Sequence, residues 1–185
     1  DLPKYLKYAE DVGRLVRGND YGVNCGYWTS EFGRLNQVWH LWQYESYAQR
    51  DELRAKLSQN KDWVDGYLPV VQEWVRRMDI RIMNPHTPFV PPQDAGNVYE
   101  YRYYRCAVGE VGNWIGHFKE VLPNREKYSK IVGLWQTEIG QPDEVSHLWV
   151  YPDLNARADA RARLGQDENW REFQSRGRPF LRELN

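Results

Sequence analysis

The feature that most constrains this chain is that it says nearly the same thing twice. Gly26-Tyr27-Trp28 recurs as Gly133-Leu134-Trp135, at an offset of 133 − 26 = 107 residues. At that offset Glu31 and Gly33 meet Glu138 and Gly140, and Val38, His40, Leu41, Trp42 and Tyr44 meet Val145, His147, Leu148, Trp149 and Tyr151. Arg50, Arg54, Ala55, Leu57, Gln59 and Trp63 meet Arg157, Arg161, Ala162, Leu164, Gln166 and Trp170 without a gap. Self-similarity of this extent requires one module folded twice. In a chain of 185 residues each copy is small, and small cores bury a limited fraction of their surface. The nine Trp and thirteen Tyr answer that problem, because each ring buries a large area.

Periodicity gives the elements within a copy. Val98 to Ala107 alternates and is rich in aromatics, as a strand does. Trp114, Ile115, Phe118, Val121 and Leu122 follow at helical spacing; in the first copy Pro3 opens a helix with Leu6, Ala9, Val12 and Val16 on one face. Val23–Phe32 and Val38–Tyr44 read as a hairpin turning at Gly33, with Gly140 in the same place in the second copy. Ser46 and Asp153 are N-caps of the next helix. Trp63 to Val75 is helical, and Asp79–Met83 alternates as a closing strand. The order βαββαβ predicts the α+β ferredoxin-like plan, in tandem. The domains fall at 1–84 and 98–185, joined by a proline-rich segment, 85–97, read as an extended linker unable to join a ladder. Shifted by the repeat, the opening strand of the first copy would precede Asp1 and the closing strand of the second would follow Asn185, so each copy is expected to lack one outer strand. Bare sheet edges invite pairing, which favours a chain shorter than the natural one.

Gly-x-Trp-x2-Glu-x-Gly followed by Val-x-His-Leu-Trp-x-Tyr, present twice, resembles the NIPSNAP family, as do the run Arg76–Pro85 and the run Glu100–Tyr104. The resemblance spans nearly the whole chain. It implies a dimeric α/β-barrel, in which two ferredoxin-like sheets pack face to face, closed here within one chain. Animal members of the family are linked to mitochondria and vesicle traffic. The wider barrel superfamily holds cofactor-free monooxygenases, haem-handling proteins, isomerases and decarboxylases, a kinship of fold alone.

Strand alternation sorts the candidate site residues. His40, Trp42 and Tyr44 share one face, as do His147, Trp149 and Tyr151; Ser146, Leu148 and Val150 share the other. The small apolar set suits packing under helices, which would aim the His-Trp-Tyr face into the barrel lumen. Glu100, Arg102 and Tyr104 share a face of one strand, and Asp79 and Arg81 a face of another. Buried charges must pair, so these predict an ion network. His40 and His147 are candidate proton shuttles, and Arg102, Glu100, Arg81, Tyr44, Tyr151, Trp42 and Trp149 candidate ligand contacts. Duplication of the histidines favours a structural role, because both copies need the same packing.

A net charge of −1, from 25 basic and 26 acidic residues, argues against nucleic acid as a partner. Two cysteines, Cys25 and Cys106, build no disulfide scaffold; one bridge between them is the alternative to two unpaired thiols, which suit a reducing compartment, the cytoplasm or alternatively the mitochondrial matrix. No run reaches membrane-spanning length, and no metal-ligand spacing or phosphate loop occurs. The expectation is a binding or scaffold protein needing no cofactor or metal, with protein partners or self-association. The alternative is a small cofactor-independent enzyme, monooxygenase- or isomerase-like, acting on a small-molecule ligand in the lumen.

Overall fold

The structure, a computed structural model, describes residues 1–94 and 96–185. It is mixed α+β and divides into two compact units, Asp1–Asp79 and Ile80–Asn185.

The first unit runs helix, hairpin, helix. Helix α1 (Leu2–Tyr8) starts with Asp1 as N-cap and a proline in its first turn, where a missing N–H costs nothing. It continues through a wide π-helical stretch, Ala9–Gly13, into α2 (Arg14–Arg17). Strands β1 (Val23–Thr29) and β2 (Val38–Gln43) pair antiparallel. Helix α3 (Tyr47–Leu57) is capped by Ser46, whose hydroxyl accepts from the Gln49 N–H at 3.1 Å. A second π stretch, Asp62–Tyr67, leads into α4 (Leu68–Gln72). Pro69 accounts for that wide turn, since it has no N–H to offer the carbonyl of Asp65. Tyr67 stacks on Tyr8 and Trp63, and a Cβ at Gly13 would stand 2.7 Å from the Tyr67 ring, so glycine lets the two helical segments close.

The second unit holds a five-stranded sheet in the order β3-β5-β6-β4-β7, from β3 (Ile82–Pro85), β4 (Val98–Cys106), β5 (Lys130–Ile139), β6 (Glu144–Tyr151) and β7 (Leu181–Leu184). Helices α5 (Val111–Arg125), α6 (Leu154–Leu164) and α7 (Glu168–Gly177) complete it. Removing β3 leaves the ferredoxin-like order, with β4 and β6 at the centre. Asp153 caps α6 through a 2.7 Å bond from the Ala156 N–H.

The Gly-x-Trp motif has a steric cause. A Cβ at Gly133 would lie 2.3 Å from the Trp135 ring, and one at Gly26 2.5 Å from that of Trp28, because each indole folds back over the glycine two residues before it. Both strands slip register just ahead of the glycine, at Asn24/Gly26 and Ile131/Gly133. The hairpin turns match as well: Asn36 and Asp143, 107 apart, both take the left-handed conformation at φ 58°.

Three strand expectations are corrected. The segment read as the closing strand of the first copy, Asp79–Met83, forms its strand later, at Ile82–Pro85, and pairs with β5 in the second unit. The linker is not free of ladders: Pro85 sits opposite Trp135, and the His86 and Val90 N–H groups donate to Leu134 and Val132. As an edge strand, β3 tolerates its proline. The second copy does not end without a strand, because β7 pairs along the outer edge of β4 from Tyr104 to Cys106. Among the described residues the equivalent stretch of the first unit, 74–77, forms no strand.

Candidate functional site

The face of β6 carrying Val145, Trp149 and Tyr151 packs with Trp114 and Phe118 of α5 and Phe173 of α7. The lumen assignment of the His-Trp-Tyr face is therefore reversed: in the second unit it lies beneath the helices. The helices carry large rings at their inner positions, and only a ring-bearing strand face fills the space between them.

His147 is the centre of this packing and is 3% exposed. Its ring lies parallel to Trp114 and Phe118, at centroid distances of 6.1 and 5.3 Å, and edge-on to Tyr104 at 5.1 Å. The Trp149 indole N–H donates to Nδ1 at 2.6 Å, which puts the imidazole proton on Nε2, where it has no hydrogen-bond partner. Burial, reinforced by the charges of Arg102 and Arg125, holds the imidazole well below its usual pKa. It is a neutral acceptor inside a ring cage.

Behind it lies a residue that pattern reading passed over. Arg125, the last residue of α5, is 3% exposed with its guanidinium 4.0 Å over the Trp149 ring and 5.6 Å from Trp170. It donates to the Tyr151 hydroxyl at 3.2 Å and to the Ser129 hydroxyl. Burial lowers its pKa against the opposing pull of Tyr151 and Glu100. The Tyr151 hydroxyl in turn donates to Glu100 at 3.3 Å, and Glu100 also receives Arg157 at 2.5 Å and Arg161 at 3.5 Å. Burial works to raise the Glu100 carboxyl, but the Arg157 hydrogen bond and the charges of Arg102, Arg157 and Arg161 outweigh it and hold it below the usual range.

The first unit repeats the arrangement. Arg17, the last residue of α2, lies 3.4 Å over the Trp42 ring and 5.8 Å from Trp63, and donates to the Tyr44 hydroxyl at 3.1 Å. Trp42 donates to His40 Nδ1 at 2.7 Å, and Tyr27 stacks on that imidazole at 5.0 Å. His40 is exposed by comparison with His147, and desolvation with the nearby Arg17 charge lowers its pKa. Arg17 and Arg125 escaped the repeat because they stand 125 − 17 = 108 apart, one residue out of register with the rest. The signal was an arginine closing the first helix of each copy.

The remaining candidates lie elsewhere. Arg81 forms a two-pronged pair with the buried Glu144, at 2.7 and 3.3 Å, and Thr137 donates to the same carboxylate. Asp79 pairs with Arg77 in the first unit. The single network expected of Glu100, Arg102, Asp79 and Arg81 is thus several separate pairings. Arg102 lies 5.3 Å over Tyr104 and is in register with His147 across the ladder. Both cysteines are free; burial raises Cys25 and pushes Cys106 up to about 11, which leaves little thiolate. No His/Cys/Asp/Glu group that could hold a metal, and no helix long and apolar enough to cross a membrane, occurs among the described residues.

The two boxes differ in what surrounds them. The second is closed by Glu100. The first opens on a cavity of about 200 Å³, lined by Arg17, Trp42 and Trp63 together with Asn24, Tyr27 and Tyr67. The Arg17 Nε and Asn24 Nδ2 are buried there without a hydrogen-bond partner.

Comparison with known proteins adds family to geometry. The NIPSNAP family model matches twice, over residues 2–91 and 99–185. NipSnap homolog 2 of Danio rerio is 29% identical over 92% of this chain and 61% of its own length; NipSnap homolog 3A of Homo sapiens is 31% identical over 77% and 59%. The chain spans about three-fifths of the length of these curated relatives. A solved structure from Lactobacillus acidophilus, provisionally assigned as a monooxygenase, covers 99% of this chain with 83% of its own at a TM-score of 0.67. At 11% identity that likeness shows the fold alone.

Proposed function

We propose that this chain, which belongs to the NIPSNAP family, works by binding rather than by catalysis, as an interaction or scaffold module. The observation that carries this reading is the state of the duplicated Arg-Trp-Tyr-His box. Within the second unit's box the polar groups are engaged, apart from His147 Nε2: Arg125 on Tyr151 and Ser129, Tyr151 on Glu100, and His147 Nδ1 on Trp149. A general base must reach the proton it abstracts, and an imidazole sealed among Trp114, Phe118 and Tyr104 reaches none. His147, Trp149, Tyr151, Glu100 and Arg81 thus serve structure, and binding falls to the open box of the first unit, with Trp42 at its wall. Protein partners or a second copy fit a scaffold role. A reducing compartment, cytoplasm or mitochondrial matrix, suits the two free thiols.

The test is oxygen uptake and substrate loss with a panel of phenols and quinols, using the purified chain and its His147→Phe and His40→Phe variants. No turnover above buffer is expected. Turnover that disappears with either histidine would establish the monooxygenase-like alternative instead.

A further inference from the structure

Position by position, the two copies differ in the residues around this box. At the offset of 107, Asn24 stands where the second copy has Ile131, and Gly66 where it has Phe173. At the offset of 108 set by the two arginines, Gly13 and Arg14 stand where it has Val121 and Leu122. All four second-copy residues are buried apolar core. Three of their replacements, Gly13, Arg14 and Asn24, line the one cavity beside Arg17. At a single place the first copy thus has space and hydrogen-bond donors where the second has core residues. A purely structural core gains nothing from that difference, because a buried donor without an acceptor is costly.

We infer that this cavity is a binding site for a small planar carboxylate, a deepening that rests on the binding reading above. Arg17 is 9% exposed, its Nη2 is held by Tyr44, and its Nε has no partner; Asn24 Nδ2 is equally without one. Both donors belong to residues of the cavity wall, and a carboxylate is the acceptor that such unpaired donors would take most strongly. Arg14 adds positive charge, and no acidic residue lines the wall. The rings of Trp42, Trp63, Tyr27 and Tyr67 form the rest of the lining and suit a flat apolar body. The volume fits: a cavity of about 150 Å³ admits benzene, and this one measures about 200 Å³. A tetrahedral phosphate fits less well, because its third oxygen would face the negative surface of an aromatic ring.

The test uses the full chain in titration calorimetry with benzoate, benzamide and phenyl phosphate. Asn24→Ile and Arg14→Leu, which restore the second copy's own residues, are compared with wild type, and thermal melts report folding. Saturable one-to-one binding of benzoate is expected, at least tenfold tighter than benzamide and phenyl phosphate, and weakened at least tenfold in both variants with the melting temperature held or raised. Equal binding of benzamide, preference for phenyl phosphate, or no benzoate binding up to about 10 mM, a free energy near −3 kcal/mol, would overturn the assignment. Benzoate binding untouched by either variant would move the site elsewhere and leave the binding reading standing; only histidine-dependent turnover overturns that reading.

Discussion

His147→Phe isolates the physical claim on which the closed box rests, that a buried imidazole is kept neutral as an acceptor. Phenylalanine keeps a flat ring against Trp114 and Phe118 but offers the Trp149 N–H no acceptor where it now finds one at 2.6 Å. Orphaning that indole costs about 1–3 kcal/mol, and deleting the equally orphaned Nε2–H returns a similar amount. Near pH 8 the variant should therefore lie between parity and about 3 kcal/mol below wild type. The decisive quantity is the slope with pH. The folded imidazole has a depressed pKa, so below the unfolded value of about 6.5 the unfolded chain binds the extra proton. Wild type then loses stability as pH falls, approaching about 1.4 kcal/mol per pH unit for one such histidine. His40 adds a contribution of the same sign. Urea unfolding followed by tryptophan fluorescence from pH 8 to pH 5.5 should show a shallower fall in the variant, with only the His40 part remaining. An unchanged slope would mean that His147 titrates freely, and the account of the ring cage would be wrong.

Phe118→Ala removes a 1%-exposed ring stacked on Trp114 at 4.8 Å and should lower stability by about 3–5 kcal/mol, read from chemical denaturation. Glu100→Gln leaves Arg157 and Arg161 without their carboxylate and should cost about 1–3 kcal/mol at neutral pH. Because the Glu100 carboxyl titrates below its unfolded value, that advantage of wild type should be full above about pH 4.3 and shrink as pH falls below it; a constant difference down to pH 3 would contradict the pairing. Gly133→Ala drives a methyl to within 2.3 Å of the Trp135 ring and should cost about 1–3 kcal/mol as the indole is displaced, visible as a changed near-ultraviolet dichroism. An alanine that left both stability and dichroism unchanged would refute the steric account of the Gly-x-Trp motif.

What the sequence determined by itself is whatever depends on near neighbours. The repeat, the hairpins with their Gly-x-Trp strands, the caps at Ser46 and Asp153 and the proline at the start of α1 are local, and each sits where the residues place it. Family membership was legible for the same reason, since the motifs that carry it are short runs. Tertiary structure decided the rest. Alternation divides a strand into two faces but does not say which face meets the helices, and here ring volume on α5 and α7 settled it in favour of the His-Trp-Tyr face. Strands β3 and β7 form because β5 and β4 present edges to them, a condition no four-residue run contains. Arg17 and Arg125 were hidden by a one-residue slip, although they sit at the same place against Trp42 and Trp149. The cavity exists through residues from both helical segments and both strands of the first unit, and nothing in the sequence says that they meet. Its donors could be recognised as unpaired only when the fold had shown that nothing in the described chain reaches them.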